Sequence, residues 1–172
     1  MLENSDALLS LAEIAAAFAG FAALVSVIGR QRELKGEAIH DLLRLRLLIS
    51  TSVVGVAAAL VPVGLAGYGL STSAVWRLSS LIFLALTYGI ILGFVHAYQP
   101  VKDDFPPDRL AVAVVTSIEL VEQGSLVVIL LGIPLGNPAA LYTTALIVNI
   151  CQAGFIFVRF IGSAFRHDVG AD

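Results

Sequence analysis

Residues 47–66 read LLISTSVVGVAAALVPVGLA, a run that carries no charged side chain. An α-helix rises about 1.5 Å per residue, so about 20 such residues cross the roughly 30 Å hydrocarbon core of a bilayer. The run is continuously apolar rather than alternating in polarity, which argues against a strand of a membrane barrel. This stretch therefore predicts a transmembrane helix.

Four more stretches of the chain match this one in length and character. The breaks between them carry turn residues: Pro100, Pro106 and Pro107 separate the third stretch from the fourth, and proline ends a helix or occupies its first turn. We therefore predict an all-α bundle of five transmembrane helices in one domain, residues 1–172. The predicted spans cover residues 7–29, 45–68, 75–98, 110–131 and 140–165.

The composition also favours a membrane protein. Hydrophobic residues make up 58% of the chain and charged residues 13%, with a mean hydropathy of +0.93, whereas soluble domains are about 45–50% apolar and about 25% charged. The N-terminus carries Glu3 and Asp6 but no basic residue, so we expect the first apolar segment to be retained rather than cleaved as a signal peptide. No basic run indicates nucleic-acid binding, and the single Cys151 excludes an intrachain disulfide.

Basic residues predict the orientation, because lysine and arginine concentrate in cytoplasmic loops. With five alternating spans, nine of the ten lie on one face and only Arg77 lies on the other. We therefore predict an outside N-terminus and a cytoplasmic C-terminus. Tyr68, Trp76 and Tyr142 would then lie near the outer interface, where aromatic rings are enriched. The nine are Arg30, Arg32, Lys35, Arg44, Arg46, Lys102, Arg109, Arg159 and Arg166.

Small residues predict where the helices pack, because transmembrane helices associate through close backbone approach and polar contacts. Gly20 shares an alanine-rich face of the first segment with Glu13. Gly89 and Gly93 form a Gly-x-x-x-Gly pattern in the third segment. We predict that these three glycines are helix-packing positions.

Polar residues inside the fourth and fifth segments are the most informative feature of the sequence. Two glutamates and a glutamine share one face of the fourth helix at positions i, i+3 and i+4. A charged group at mid-helix costs roughly 2.5–3.5 kcal/mol on insertion scales, so these side chains need partners. An asparagine and a glutamine of the fifth helix lie at a similar depth. We predict a polar seam between these helices that a glutamate of the first helix joins from the outer side; its members are Glu13, Glu119, Glu122, Gln123, Asn149 and Gln152.

The two glutamates of the fourth helix should influence each other's ionisation. Two carboxylates one turn apart disfavour the charged form, and burial acts in the same direction. We expect at least one of Glu119 and Glu122 to be protonated at neutral pH unless a cation lies between them. Arg159 lies on the face of Gln152 near the cytoplasmic end. It is either a cytoplasmic gate below the seam or a side chain that extends to the lipid headgroups.

Three functions are compatible with such a seam. The carboxylates line a pathway for cations or protons, since ionisable residues within a membrane are functional candidates by default; because the chain is short, we then expect a homo-oligomeric channel. Alternatively, the protein is an accessory or scaffold subunit of a larger membrane complex. In the third reading the seam only fixes packing within one protomer. Phosphate-binding loops, zinc spacings and nucleophile elbows are absent from the sequence, so we expect no enzyme activity, metal or cofactor.

The segment Glu13 to Leu24, Glu-Ile-Ala-Ala-Ala-Phe-Ala-Gly-Phe-Ala-Ala-Leu, resembles the first helix of small uncharacterised bacterial integral membrane proteins. The resemblance covers only that segment. It implies a multi-pass protein of the bacterial inner membrane. No activity comes with it.

Overall fold

The computed structural model describes the backbone of residues 2–29, 37–102, 106 and 108–166, and the side chains of residues 2–25, 42–100, 102, 106 and 108–162. The described chain is helical, and each of its five α-helices is long and apolar enough to cross a membrane. The five predicted segments are thus confirmed as helices. They are α1 Ser5–Gly29, α2 Glu37–Ala66, α3 Thr72–Tyr98, α4 Arg109–Leu131 and α5 Pro138–Arg166, with a 3-10 turn at Gln99–Val101.

Short polar side chains and glycine define the helix ends. Ser71, Asp108 and Asn137 each accept a hydrogen bond from a backbone N–H two or three residues ahead, at 3.3, 3.0 and 2.9 Å. Such caps satisfy amides that have no partner within the helix. Gly132 ends α4 in the left-handed conformation, with φ 67°. At these four ends, the start of α3, both ends of α4 and the start of α5, local sequence therefore accounts for where the helix begins or stops.

The helices form a bundle in which α2 and α5 are central. Helix α1 packs against α2 and α5, while α3 packs against α2 and α4, and α4 packs against α5. Five of the six basic side chains that the structure describes lie near the end where α2 and α4 begin, which we call the basic end; Arg77 lies near the opposite end. The five are Arg44, Arg46, Lys102, Arg109 and Arg159, and the predicted basic positions Arg30, Arg32, Lys35 and Arg166 lie outside the described side chains.

One glycine brings three helices together. A Cβ added at Gly55 of α2 would lie 3.0 Å from Asn149 Oδ1 of α5 and 3.2 Å from Ala15 Cβ of α1. Ala58, Ala59, Ala145 and Ala153 are also buried in the same bundle. Small side chains let helix backbones approach closely, which is how transmembrane helices gain van der Waals contact.

The predicted packing glycines lie elsewhere. A Cβ added at Gly20, Gly89 or Gly93 would meet no atom of the described structure within 4 Å. No other helix of the same protomer therefore packs closely against these three glycines. If these three glycines are packing positions, they pack against other molecules.

Two of the three aromatic residues predicted near the outer interface are buried inside the bundle. Trp76 is 2% exposed and Tyr142 is fully buried, with ring centroids 5.3 Å apart. Phe83 packs edge-on against Tyr142 at 5.9 Å. Burial is tolerated because the Tyr142 hydroxyl donates to the Ala58 carbonyl oxygen at 2.7 Å. These rings close the interior near the end opposite the basic end, and only Tyr68 of the three predicted border residues is exposed.

The outward faces of the bundle are rich in large apolar side chains. Soluble monomers rarely expose such extended apolar surface, whereas lipid accommodates it. The structure therefore agrees with a multi-pass membrane protein. Examples from all five helices are Leu9, Phe21, Val53, Leu60, Leu81, Leu92, Leu120, Val127, Ile147 and Val158.

Candidate functional site

Glu122 of α4 lies entirely inside the protomer, with no exposed surface. Its Oε1 accepts a hydrogen bond from the Thr87 hydroxyl of α3 at 3.0 Å, and the side chain of Asn149 of α5 faces the same carboxyl. Its Oε2 has no hydrogen-bond partner in the described part of the chain. A buried oxygen without a donor is costly, so this carboxyl is a place where a proton or a cation would be stabilised.

Glu119, one turn before Glu122, is fully paired. Its Oε1 accepts from Gln152 Nε2 of α5 at 2.8 Å, and its Oε2 accepts from Gln123 Nε2 of its own helix at 2.9 Å. Hydrogen bonds to a carboxylate are stronger than those between neutral groups. The two amides therefore give both oxygens of Glu119 a hydrogen-bond donor, in a position that is only partly buried.

These residues form one site, which we call the polar cluster. It joins three helices, and five of its members were predicted from the sequence of α4 and α5. Thr87 was not predicted, because a threonine within a membrane helix can satisfy its hydroxyl on its own backbone and gives no sign of a distant partner. The members are Thr87, Glu119, Glu122, Gln123, Asn149 and Gln152.

Several further buried oxygens of the bundle, two of them in the cluster, lack partners. Asn149 Oδ1 and Gln152 Oε1 are buried and accept no hydrogen bond from a described residue. Three serine hydroxyl oxygens are also buried without a hydrogen-bond partner among the described residues: those of Ser79 and Ser80 in α3 and of Ser52 in α2. Nearly all buried polar atoms in proteins are paired with protein or water. An interior with this many free acceptors can therefore take hydrogen bonds from water or from a protonated species.

Glu13 does not join the polar cluster. The buried face of α1 carries Leu8, Ala15 and Ala22, and this face packs against α2 and α5. Glu13 is consequently exposed on the outward face, and among the described residues α1 does not touch α4. The expectation that Glu13 extends the seam from the outer side therefore does not fit the packing of α1.

Arg159 forms an ion pair at the basic end, about 10 Å beyond Gln152 along α5 at 1.5 Å per residue. Its guanidinium donates to Asp108 Oδ2 at 2.7 Å, and both side chains are partly exposed. This bond, followed by the one from the Leu110 backbone N–H, holds the pKa of Asp108 below its usual value. The pair ties the first residue before α4 to the last turns of α5, so Arg159 has a protein partner rather than lipid headgroups alone.

The chemistry of the site is that of carboxyls, amides and hydroxyls. The described residues contain no group of three or more His, Cys, Asp or Glu side chains that could hold a metal ion. Cys151 faces outward from α5 and takes no part in the cluster. The groups that remain can bind and exchange protons, and their oxygens can contact a small cation.

Comparison with known proteins yields no match: no protein-family model, no curated protein and no solved structure is similar to this chain. Function must therefore be inferred from the polar cluster itself.

Proposed function

We propose that the protein conducts protons or small cations across a membrane through the interior of its helix bundle, with Glu122 as the central exchanging group. The observation that carries this proposal is the environment of Glu122: full burial, one oxygen bonded to Thr87 and the other without a partner in the described chain. A carboxyl kept only for packing would be cheaper with both oxygens paired. Exchange of a proton or cation gives the unpaired oxygen a role.

Enclosure of Glu122 favours the proton over a larger cation. A hydrated cation needs a water-filled passage, and a dehydrated one needs several oxygens in its place. Here Trp76, Phe83 and Tyr142 close the interior on one side of the cluster. A proton, in contrast, passes between groups that lie within hydrogen-bond reach of each other or of one intervening water.

The proposed route follows the buried hydroxyls of α3. Ser80 and Thr87 are seven residues apart, hence on one face of the helix and about 10 Å apart along it. A proton would pass Trp76, Phe83 and Tyr142, which exclude a hydrated cation, by way of the Ser80 hydroxyl and single waters. It would then reach Glu122 through the hydroxyl of Thr87 or a water, and pass to Glu119. The distance between Ser80 and Thr87 requires water in the entry half of the route.

Arg159 is the proposed gate at the basic end. Its guanidinium lies beyond Glu119 and Gln152, and a positive charge there opposes the exit of a cation or proton. Asp108 compensates this charge while the two are paired at 2.7 Å. Because Glu122 is buried within one protomer and Glu119 pairs with Gln123 and Gln152 of the same chain, each copy of a homo-oligomer would have its own pathway.

A flux assay in liposomes tests the proposal. Purified protein is reconstituted with an internal pH-sensitive dye, and a potassium gradient with valinomycin imposes a membrane potential. We expect potential-driven proton uptake above that of empty liposomes. In Glu122→Gln the rate of this uptake should fall about tenfold or more, since an amide cannot take up and release the proton. The double variant Glu119→Gln with Glu122→Gln should abolish it.

Glu13→Gln is the matched control, because it makes the same substitution in a membrane helix but outside the cluster; its flux should equal that of the unaltered protein. Flux unchanged in Glu122→Gln would remove the site assignment. Absence of flux from the folded, unaltered protein would reject conduction and leave the polar cluster as a packing device. That outcome is the one expected of an accessory subunit.

A further inference from the structure

An open groove runs between α2 and α3 on the outside of the bundle, away from the polar cluster. Its volume is about 400 Å³. Gly89 and Gly93 are among its lining residues, and a Cβ at either would meet no described atom within 4 Å. The remaining lining is almost wholly apolar, with Leu47, Val53 and Phe94 among its residues. Because glycine has no side chain, these two positions leave room in the groove for a narrow apolar ligand.

The length of the groove matches one leaflet of a bilayer. Its lining on α3 extends from Leu86 to Ala97, which is about 16 Å along the helix. The hydrocarbon core is about 30 Å thick, so one leaflet contributes about half of it. The groove therefore extends from the basic end of the bundle to about the middle of the membrane, which is the path of one acyl chain.

A basic side chain lies where the groove opens at the basic end of the bundle. Arg46 lines it near the basic end and is exposed, and Ser50 adds a hydroxyl one turn deeper. Lys102 is exposed shortly after the end of α3. Guanidinium groups bind phosphate with paired hydrogen bonds, and basic pockets between membrane helices bind anionic headgroups. A groove with a positive charge at its mouth and an apolar interior is complementary to an amphipathic anion.

We propose that this groove binds an anionic glycerophospholipid, with its phosphate on Arg46 and one acyl chain over Gly89 and Gly93. A second copy of the chain fits less well. An interface that uses the same groove on both copies is symmetric about a twofold axis. If that axis ran along the membrane normal, the two Arg46 side chains would lie at the same level and repel each other. The lipid site does not depend on proton conduction.

Native mass spectrometry of the detergent-purified full chain tests the site. The protein is titrated with phosphatidylglycerol and, separately, with phosphatidylcholine that has the same acyl chains. We expect tighter binding of phosphatidylglycerol. Arg46→Gln should reduce this preference on the order of fivefold, as expected for one cation near an anionic headgroup. Arg109→Gln, which removes an exposed cation of the same end outside the groove, should leave it unchanged.

Blocking the groove tests the acyl-chain contact separately. Gly93→Leu should weaken binding of both lipids, whereas Gly124→Leu should not, because Gly124 is an open position of α4 outside the groove. An unaltered headgroup preference in Arg46→Gln would overturn the proposal. So would a dimer that Gly93→Leu dissociates while lipid binding persists, since the groove would then hold a second copy.

Discussion

Thr87 is the residue that fixes the direction of the Glu122 carboxyl. Its hydroxyl donates to Glu122 Oε1, and its branched Cβ restricts the rotamers available within a helix. A helical threonine divides between two rotamers, and the hydrogen bond to Glu122 selects one of them. If proton transfer passes through this hydroxyl, Thr87 contributes to both the stability of the bundle and the route.

We expect Thr87→Val to destabilise the protein by about 1–3 kcal/mol, because it keeps the shape of the side chain but leaves a buried carboxyl oxygen without its donor. Thermal unfolding in detergent measures the change. Thr144→Val is the matched control, since the Thr144 hydroxyl is exposed and bonds the Ala140 carbonyl oxygen of its own helix. Equal stability of the two variants would contradict the assigned hydrogen bond.

At the scale of the elements, the packing of α2 depends on the absence of a side chain at Gly55. We expect Gly55→Ala to cost about 1–3 kcal/mol, because the new methyl group would press against Asn149 and Ala15. Gly124→Ala should be neutral or stabilising, by up to about 1 kcal/mol, since that position is open and alanine favours a helix. Chemical unfolding of both variants measures the difference, and a stabilised Gly55→Ala would contradict the close approach of α1, α2 and α5.

The ends of α4 and α5 are coupled by a pH-dependent contact. Arg159 lowers the pKa of Asp108 in the folded protein, so the pair stabilises the fold above the usual aspartate pKa. This contribution is lost as the pH falls through the lowered value. The direction follows because the folded state binds this proton less readily than the unfolded state does.

We therefore expect the unaltered protein to lose more stability than Asp108→Asn when the pH falls below the ordinary aspartate value of 3.8. Unfolding midpoints measured across this pH range give the comparison. Arg159→Gln should flatten the same dependence, because it removes the group that lowers the pKa. Parallel curves for the three proteins would show that the pair does not form in solution.

The positions of the helices were largely predictable from the sequence. Which face of each helix turns toward the interior was less so. The helices follow from apolar length and from caps such as Ser71 and Asp108, which are local properties. The α4 and α5 members of the cluster follow from their spacing. In contrast, α1 offers small residues on several faces, so its sequence does not decide that Ala15 turns inward and Glu13 outward. Only the packing of α2 and α5 against it does.

At the scale of the whole molecule, an odd number of membrane-spanning helices would place the two termini on opposite sides of a membrane, and five helices are long and apolar enough to span one. The basic residues predict that Lys102 faces the cytoplasm and Ser73 the outside. In a Cys151→Ser background, a membrane-impermeant maleimide applied to intact cells should label Ser73→Cys and not Lys102→Cys. Permeabilised cells should allow labelling of both. The reverse pattern would invert the orientation, and equal labelling in intact cells would contradict a membrane-spanning bundle.

The bundle as a whole also explains why a carboxyl can remain in its interior. The outward faces of the five helices are apolar, while hydroxyls, amides and carboxyls from different helices meet inside, where they replace water for one another. The polar cluster is thus a property of the assembled bundle and not of any single helix. Its central group, Glu122, is the residue whose protonation should report on the entire arrangement.

Infrared spectroscopy of the protein in liposomes tests this claim most directly. At neutral pH we expect the carbonyl stretch of a protonated carboxyl that shifts on exchange into D₂O. The band should be absent in Glu122→Gln and retained in Glu13→Gln. A band that survives in Glu122→Gln, or that is missing from the unaltered folded protein, would contradict the assignment of Glu122 as a buried carboxyl that holds an exchangeable proton.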